Sequence, residues 1–582
     1  MNRPLRTLLA LSLLLVAGMP ALAQQSEAPA EVSSEAPADA SSEAPADAPA
    51  AAAPTDDEVM YRVMSAEMLG SKGELDKAAA EYLAAALQSE DPEIARRATE
   101  VAISAQAWHY AAMAADRWLM LAPDNPDALQ SAARSMLLAG DFVGAELQME
   151  RLLEINKDKP RASWALVSAL LGVAHHPEKT QQVLDRLVAS QKAEHDPYAL
   201  FVQSQVAARS RELERAMVLA EEAAQLAPED AELHAWAGRV AMNLDDRDSA
   251  RRHFKAAWET DPGDRVIALL YAELLRQDGE TDTAHGILAA LEDSPEMRFT
   301  RVAFAMQAGE MPRAQTIYRG FTSAGYKDLE ERAHYAARAA EMLGLTEEAI
   351  IWYTQLDGSE GEAEAQQRRA VLLAQLDRVD EARTVLAGLR QNPDPEVRIE
   401  AMVVEGQILL GAQRSPEAFD VLSQGLELHP GDIRLLYTRS LVAVDLDRIE
   451  EAEADLRQVI EQEPENAAAL NALGYTLADR TERFDEARGY IEQAYRLQPE
   501  ESSIIDSMGW VAYRQGRLEE AEKYLSEAFG RDRNAEIAAH LGEVQWVRGE
   551  KAEARKTWAV GLEIDPDNRV LKETMERFDP AP

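Results

Sequence analysis

A recurrence of about 34 residues runs through this sequence from Asp56 onward, and it leaves few folds open. Its sharpest copies are 399–432, 433–466, 467–501, 502–534 and 535–568. In the 502 copy, Ile505, Met508 and Gly509 share one helix face and Ala512 follows a turn later, while Ala521, Leu525 and Ala528 form the stripe of a second helix. A small residue recurs in the first helix of each copy (Gly406, Gly474, Gly509, Gly542), and an alanine recurs in the second (Ala418, Ala487, Ala521, Ala554). Four residues after each alanine, one turn along the same face, stands a large side chain: Leu422, Ile491, Leu525 or Trp558. The spacing predicts helix hairpins in which a small residue on each helix admits the other and a large one fills the remaining gap. Pro430, Pro464, Pro499 and Pro566 recur at the copy boundaries, where a missing N–H costs least.

The same frame fits 197–230 and 231–264, the second with Gly238, Ala250, Phe254, Ala257 and Pro262 in place. Copies at 92–125, 126–159, 265–295, 330–362 and 363–398 keep the alanine and its partner less completely, and 160–196 and 296–329 are degenerate. With a first unit at 59–91 and a closing helix from about Arg569, about fourteen repeats fill residues 56–582 and leave no room for an inserted domain. A single hairpin of this kind would be weak evidence. Many in register are not, because each exposes an apolar stripe that only its neighbour can cover. The pattern resembles the tetratricopeptide-repeat family, whose period it shares. The resemblance implies an all-α fold, a right-handed superhelical solenoid of helix-turn-helix repeats, and a role in binding other proteins.

Upstream of the repeats, residues 1–23 combine Arg3 and Arg6, an apolar stretch from Leu8 to Gly18 and the triplet Ala21-Leu22-Ala23, the pattern of a cleaved signal peptide. Its apolar core is shorter than a bilayer span requires. Val16-Ala17-Gly18 matches the start of a lipoprotein signal, but Met19 stands where the lipid-bearing cysteine would be, and a thioether cannot be acylated. The expected address is the periplasm, at the inner face of the outer membrane if membrane-associated, though not by lipidation at Met19. Residues 24–55 repeat Ser-Glu-Ala-Pro-Ala from Ser26, Ser34 and Ser42 with a period of eight. Almost free of large apolar side chains, this segment reads as a disordered acidic tether.

A formal net charge of -43 argues against nucleic acid as a partner. The absence of cysteine removes disulfides, thiolate metal sites and a cysteine nucleophile. No phosphate-binding loop, zinc-protease helix or serine-nucleophile turn is present, and His175-His176 reads as a polar loop at a helix end. The expectation is a non-enzyme with no catalytic residue, no metal and no cofactor.

The resemblance further implies that the first helix of each repeat lines a concave groove. Carried onto this sequence, groove positions hold Tyr437, Asn471, Tyr475, Asp506, Trp510, Tyr513 and Trp546, a ladder of rings suited to partner binding. The Lys and Arg pattern that clamps peptide C-termini in some relatives is missing there. Segments 470–479 and 506–510, taken with the export signal and acidic tether, resemble a group of bacterial envelope tetratricopeptide proteins that act as adaptors. That resemblance implies, as partners, a periplasmic carboxyl-terminal processing serine protease and its cell-wall hydrolase substrates. The alternative it leaves open is a scaffold for an envelope polysaccharide export or outer-membrane complex.

Overall fold

A computed structural model describes residues 56–359 and 361–579; the expected signal peptide and tether lie outside the described residues. Among the described residues every regular element is an α-helix, thirty-one in all, from α1 (Asp56–Ser71) to α31 (Arg569–Phe578). They fall into two compact units that divide between Asp293 and Ser294. Within each unit, consecutive helices pack as hairpins and hairpins stack on one another. The degenerate segments fold as hairpins too: Pro160–Leu171 with Pro177–Gln191, and Pro295–Gln307 with Met311–Ser323. His176 is the N-cap residue between the first of these pairs, edge-on to Phe142.

Hairpin geometry follows from local chemistry. First helices begin at side chains that cap exposed N–H groups: Asn125, Asp196, Asp230, Asp432, Asn466 and Asn534 each accept from backbone amides two or three residues on. Pro126 and Pro197 follow two of these caps, and Pro160, Pro295 and Pro395 likewise open their helices, in a position that needs no donor. The turn inside a hairpin recurrently needs one left-handed residue. Glycine supplies it at Gly549 (φ 92°), whereas Asp447 adopts φ 58° against its Cβ.

Small-on-large packing closes the hairpin. A Cβ on Gly238 would lie 2.7 Å from the Phe254 ring, one on Gly406 2.8 Å from Leu422, and one on Gly509 2.6 Å from Leu525. At Gly474 and Gly542 it would run into Ile491 and Trp558. Ala250, Ala418, Ala487, Ala521 and Ala554 on the second helices are all fully buried. The plugs are sealed as well: Trp558, Phe254 and Leu525 are 0–1% exposed. Ion pairs stitch the layers where polar groups are trapped. Glu405, 0% exposed, lies 3.0 Å from Arg383 and 3.4 Å from Arg390, and Asp455 takes both oxygens to Arg439.

Two substitutions test this account. Gly542→Ala should destabilise the C-terminal unit by about 1–3 kcal/mol, because its Cβ overpacks the Trp558 contact. Asp447→Gly should stabilise it by up to ~1 kcal/mol by relieving the left-handed strain. Urea denaturation of each variant beside the parent reads both, and equal midpoints for Gly542→Ala and parent would refute the packing argument.

Candidate functional site

In the C-terminal unit the predicted ladder occupies four successive first helices: α23 (Ile433–Asp445), α25 (Ala467–Arg480), α27 (Ser502–Arg514) and α29 (Ala535–Val547). Helix packing of α25 on α27, α27 on α29 and α29 on α31 brings much of it together, but turned inward. His540 on α29, 3% exposed, donates from Nδ1 to both oxygens of Asp506 at 3.0 and 2.9 Å. Its ring stacks on Trp510 with centroids 4.2 Å apart and planes at 27°. On its other edge, Nε2 lies 3.3 Å from the Tyr475 hydroxyl. Trp510 donates from Nε1 to Asp479 at 3.2 Å, and Tyr513 donates to Glu543 at 2.9 Å. Arg577 on α31 completes the network as the ion-pair partner of buried Glu543.

The remaining predicted residues behave differently. Tyr437 packs half-buried against the apolar cluster of Leu436, Leu456 and Leu470, and burial raises its phenol pKa. Asn471 is half-buried, its Oδ1 shielded and without a hydrogen-bond partner. Trp546 leaves the ladder and stacks on Trp558 at 5.5 Å, with Lys551 and Arg555 over its ring. Trp510, 6% exposed, offers a partner almost no surface.

Electrostatics explain the inward turn. Burial opposes a charge on His540, yet the Asp506 carboxylate beside it, with Glu536 and Glu543 nearby, outweighs that and raises its pKa to about 9. Burial raises the Glu543 carboxyl and holds the Tyr475 phenol well above its ordinary value. The cluster is thus an imidazolium on α29 clamped between a carboxylate and an indole face that both come from α27, the preceding repeat.

The open groove lies instead in the N-terminal unit, on the first helices α7 (Pro160–Leu171), α9 (Pro197–Arg209), α11 (Ala231–Asn243) and α13 (Arg265–Gln277). One cavity of about 580 Å³ has Phe201, Trp236, Val266 and Leu270 as its apolar lining, with Gln205 and Arg239 beside them. A second, of about 500 Å³, is lined by Lys159, Pro160, Ala162, Ala165 and Tyr198, and the two share Arg161. Trp236 is fixed by donating 2.8 Å to the Ser204 hydroxyl and by an edge-on contact with Phe201 at 5.9 Å. Arg239 lies 5.4 Å over its ring. Arg161 bridges the cavities, 3.1 Å from Asp230 and 2.6 Å from Glu232. These residues were missed in the sequence, although a signal existed. Gln205 and Arg239 stand nine residues past their N-caps, the place Tyr475 holds on α25. Among the described residues no group of three or more His, Cys, Asp or Glu side chains is placed to hold a metal ion, and no helix is long and apolar enough to cross a membrane.

The buried imidazolium gives a pH test. A folded pKa of about 9 against an unfolded value near 6.5 means that His540 contributes its full stabilisation below pH 6.5 and loses it as pH rises through 9. The stability difference between parent and His540→Gln, read by chemical denaturation from pH 6 to 10, should shrink by on the order of 3 kcal/mol across that window. A difference constant with pH would show that His540 is not charged in the fold.

Comparison with known proteins agrees with this architecture. A family profile described as tetratricopeptide repeat matches residues 437–502 and 507–569, and a second with the same description matches 245–303. The chain is 32% identical over 493 residues to the TPR repeat-containing protein PA4667 of Pseudomonas aeruginosa, covering 84% of this chain and 82% of that protein. Among solved structures, the APC/C hetero-tetramer Cut9-Hcn1 is similar at 13% identity over 84% of this chain and 96% of that one, with a TM-score of 0.34. A tetratricopeptide repeat protein from Parabacteroides merdae is similar at 14% identity over 43% of this chain and 98% of that one, with a TM-score of 0.37. The repeat pattern, the stacked hairpins and the relative spanning most of both chains lead to one assignment: this chain belongs to the tetratricopeptide-repeat family, whose members are scaffolds for protein–protein interaction.

Proposed function

We propose that this protein is a non-catalytic adaptor of the bacterial cell envelope, located in the periplasm, that holds a carboxyl-terminal processing serine protease together with its cell-wall hydrolase substrates and so promotes their cleavage. The observation that carries the reading is the open, aromatic-lined groove around Trp236 in an array built of protein-binding repeats. Further support comes from the export-type leader and from the resemblance of segments 470–479 and 506–510 to envelope adaptors. The relative from Pseudomonas aeruginosa suits a bacterial setting.

Mechanistically the array supplies proximity. A partner held on one stretch of first helices and a substrate on another meet in what is effectively an intramolecular encounter, and such tethering raises apparent affinity ~100-fold or more without a new contact. The bond-breaking groups all belong to the protease. The array's part is to present aromatic and aliphatic anchors on a stiff support, so that little conformational entropy is lost when a partner binds.

A reconstituted digest tests this. Alone, the protein should leave a cell-wall hydrolase intact; added to a carboxyl-terminal processing protease from the same cells, it should raise the cleavage rate about tenfold or more. Trp236→Ala should lose much of that gain while the protease's activity on a short peptide stays the same. An intact protease unaffected by the parent protein would remove the proposal. Capture of a polysaccharide synthase and an outer-membrane β-barrel in place of a protease would replace it with the export-scaffold reading.

A further inference from the structure

The two cavities of the N-terminal unit share an uncommon composition. Each joins an aromatic wall to a cation that, among the described residues, has no carboxylate within ion-pairing distance: Tyr198 with Lys159 in one, Trp236 and Phe201 with Arg239 in the other. Such cations run against the odds in a chain with 103 acidic and 60 basic residues. Arg161, between them, is already held by Asp230 and Glu232. Of the other carboxylates along this stretch, Asp264 caps α13 and Asp261 accepts from the Gly263 amide, which leaves Glu229 as the uncommitted acid at the rim. Between the aromatic walls the lining is Pro160, Ala162, Ala165, Ala231 and Ala235.

An aromatic surface paired with a lone cation fits a proline ring next to a carboxylate. Proline-rich segments dock in aromatic-lined grooves because their extended form costs little entropy to fix. This chain carries that chemistry four times before its first described helix, as Glu27-Ala28-Pro29, Glu35-Ala36-Pro37, Glu43-Ala44-Pro45 and Asp47-Ala48-Pro49. The alanines match the small residues of the lining, and the charges are opposite to those of Lys159 and Arg239. The distance is within reach as well. First helices of stacked hairpins lie ~10 Å apart, so four steps from α1 to α9 cover ~40 Å. The 13 residues from Glu43 to Asp56 extend to about 45 Å, and the 21 from Glu35 to about 70 Å, enough for the fifth step to α11 as well.

We propose that the acidic Ala/Pro segment of residues 26–50 docks in this groove of its own chain, each carboxylate against Lys159 or Arg239 and each proline ring against Tyr198 or Trp236. The segment is then a built-in competitor rather than a passive spacer. A partner's peptide reaches the groove by displacing it, and only ligands that outbid a weak, salt-sensitive, intramolecular contact are retained. This inference does not depend on which partner the adaptor serves.

The absence of cysteine makes the test clean. Ala38→Cys in the full-length mature protein, labelled with a photoreactive maleimide, should cross-link within the same chain to peptides covering 159–165 or 231–239. Arg239→Glu, or Glu35→Lys with Glu43→Lys and Asp47→Lys, should each cut that yield about tenfold, and the combination should restore it. The triple Lys variant alters no residue of the folded array, so a loss there cannot come from misfolding. Cross-links scattered over the surface, or unchanged by either set of substitutions, would overturn the proposal. Cross-linked dimers would overturn its intramolecular form and assign the groove to a second copy's segment. Failure here with protease stimulation intact would leave the adaptor reading standing, and the converse would leave the docked segment standing.

Discussion

Everything in this molecule depends on how closely two helices of one hairpin approach. Gly509 meeting Leu525, Gly238 meeting Phe254 and Gly542 meeting Trp558 are versions of one contact: a residue without a side chain admits a large one from the neighbouring helix. That contact fixes the position of the second helix, and the second helix then presents the stripe on which the next hairpin rests. Interior packing leaves little slack for error, since a single added methyl group at such a position has no space to enter. In the groove this contact closes the hairpin of α11, where Gly238 admits Phe254.

Much of the fold was legible for that reason. The alanine and its partner one turn later survive in many of the second helices, and Ala250–Phe254 and Ala554–Trp558 are as plain in the sequence as in the packing. Segments 160–196 and 296–329 looked degenerate because neither first helix carries a glycine at the close approach, where Val167 and Val302 are buried instead. The second helices still follow the rule, with Ala314 and Tyr318 in one and Thr180 and Leu184 in the other. A pattern that leans on glycine passes over both.

The candidate site was less legible, and the cause is electrostatic. Register placed Tyr475, Asp506, Trp510 and Tyr513 on one side of their helices, but register says nothing about whether a ring faces solvent or a neighbour. One imidazole decides it: His540, ion-paired with Asp506, draws Trp510 over its face and Tyr475 to its edge. No single repeat contains that arrangement. In the N-terminal unit the ion pairs of Arg161 with Asp230 and Glu232 lie beside the rings rather than beneath them, and Trp236 and Arg239 border a cavity of about 580 Å³. Two stretches that share one repeat pattern thus differ: one is filled by its own side chains, and the other keeps space between them.

The cluster around His540 also couples α31 to proton uptake. Glu543 is buried on α29, and its guanidinium partner Arg577 comes from α31. Were α31 to lift away, Glu543 would keep the Tyr513 hydroxyl but lose its counter-charge, and a carboxylate left buried in that state is driven to take up a proton. Acid therefore eases the opening of this helix while leaving the hairpins beneath it closed.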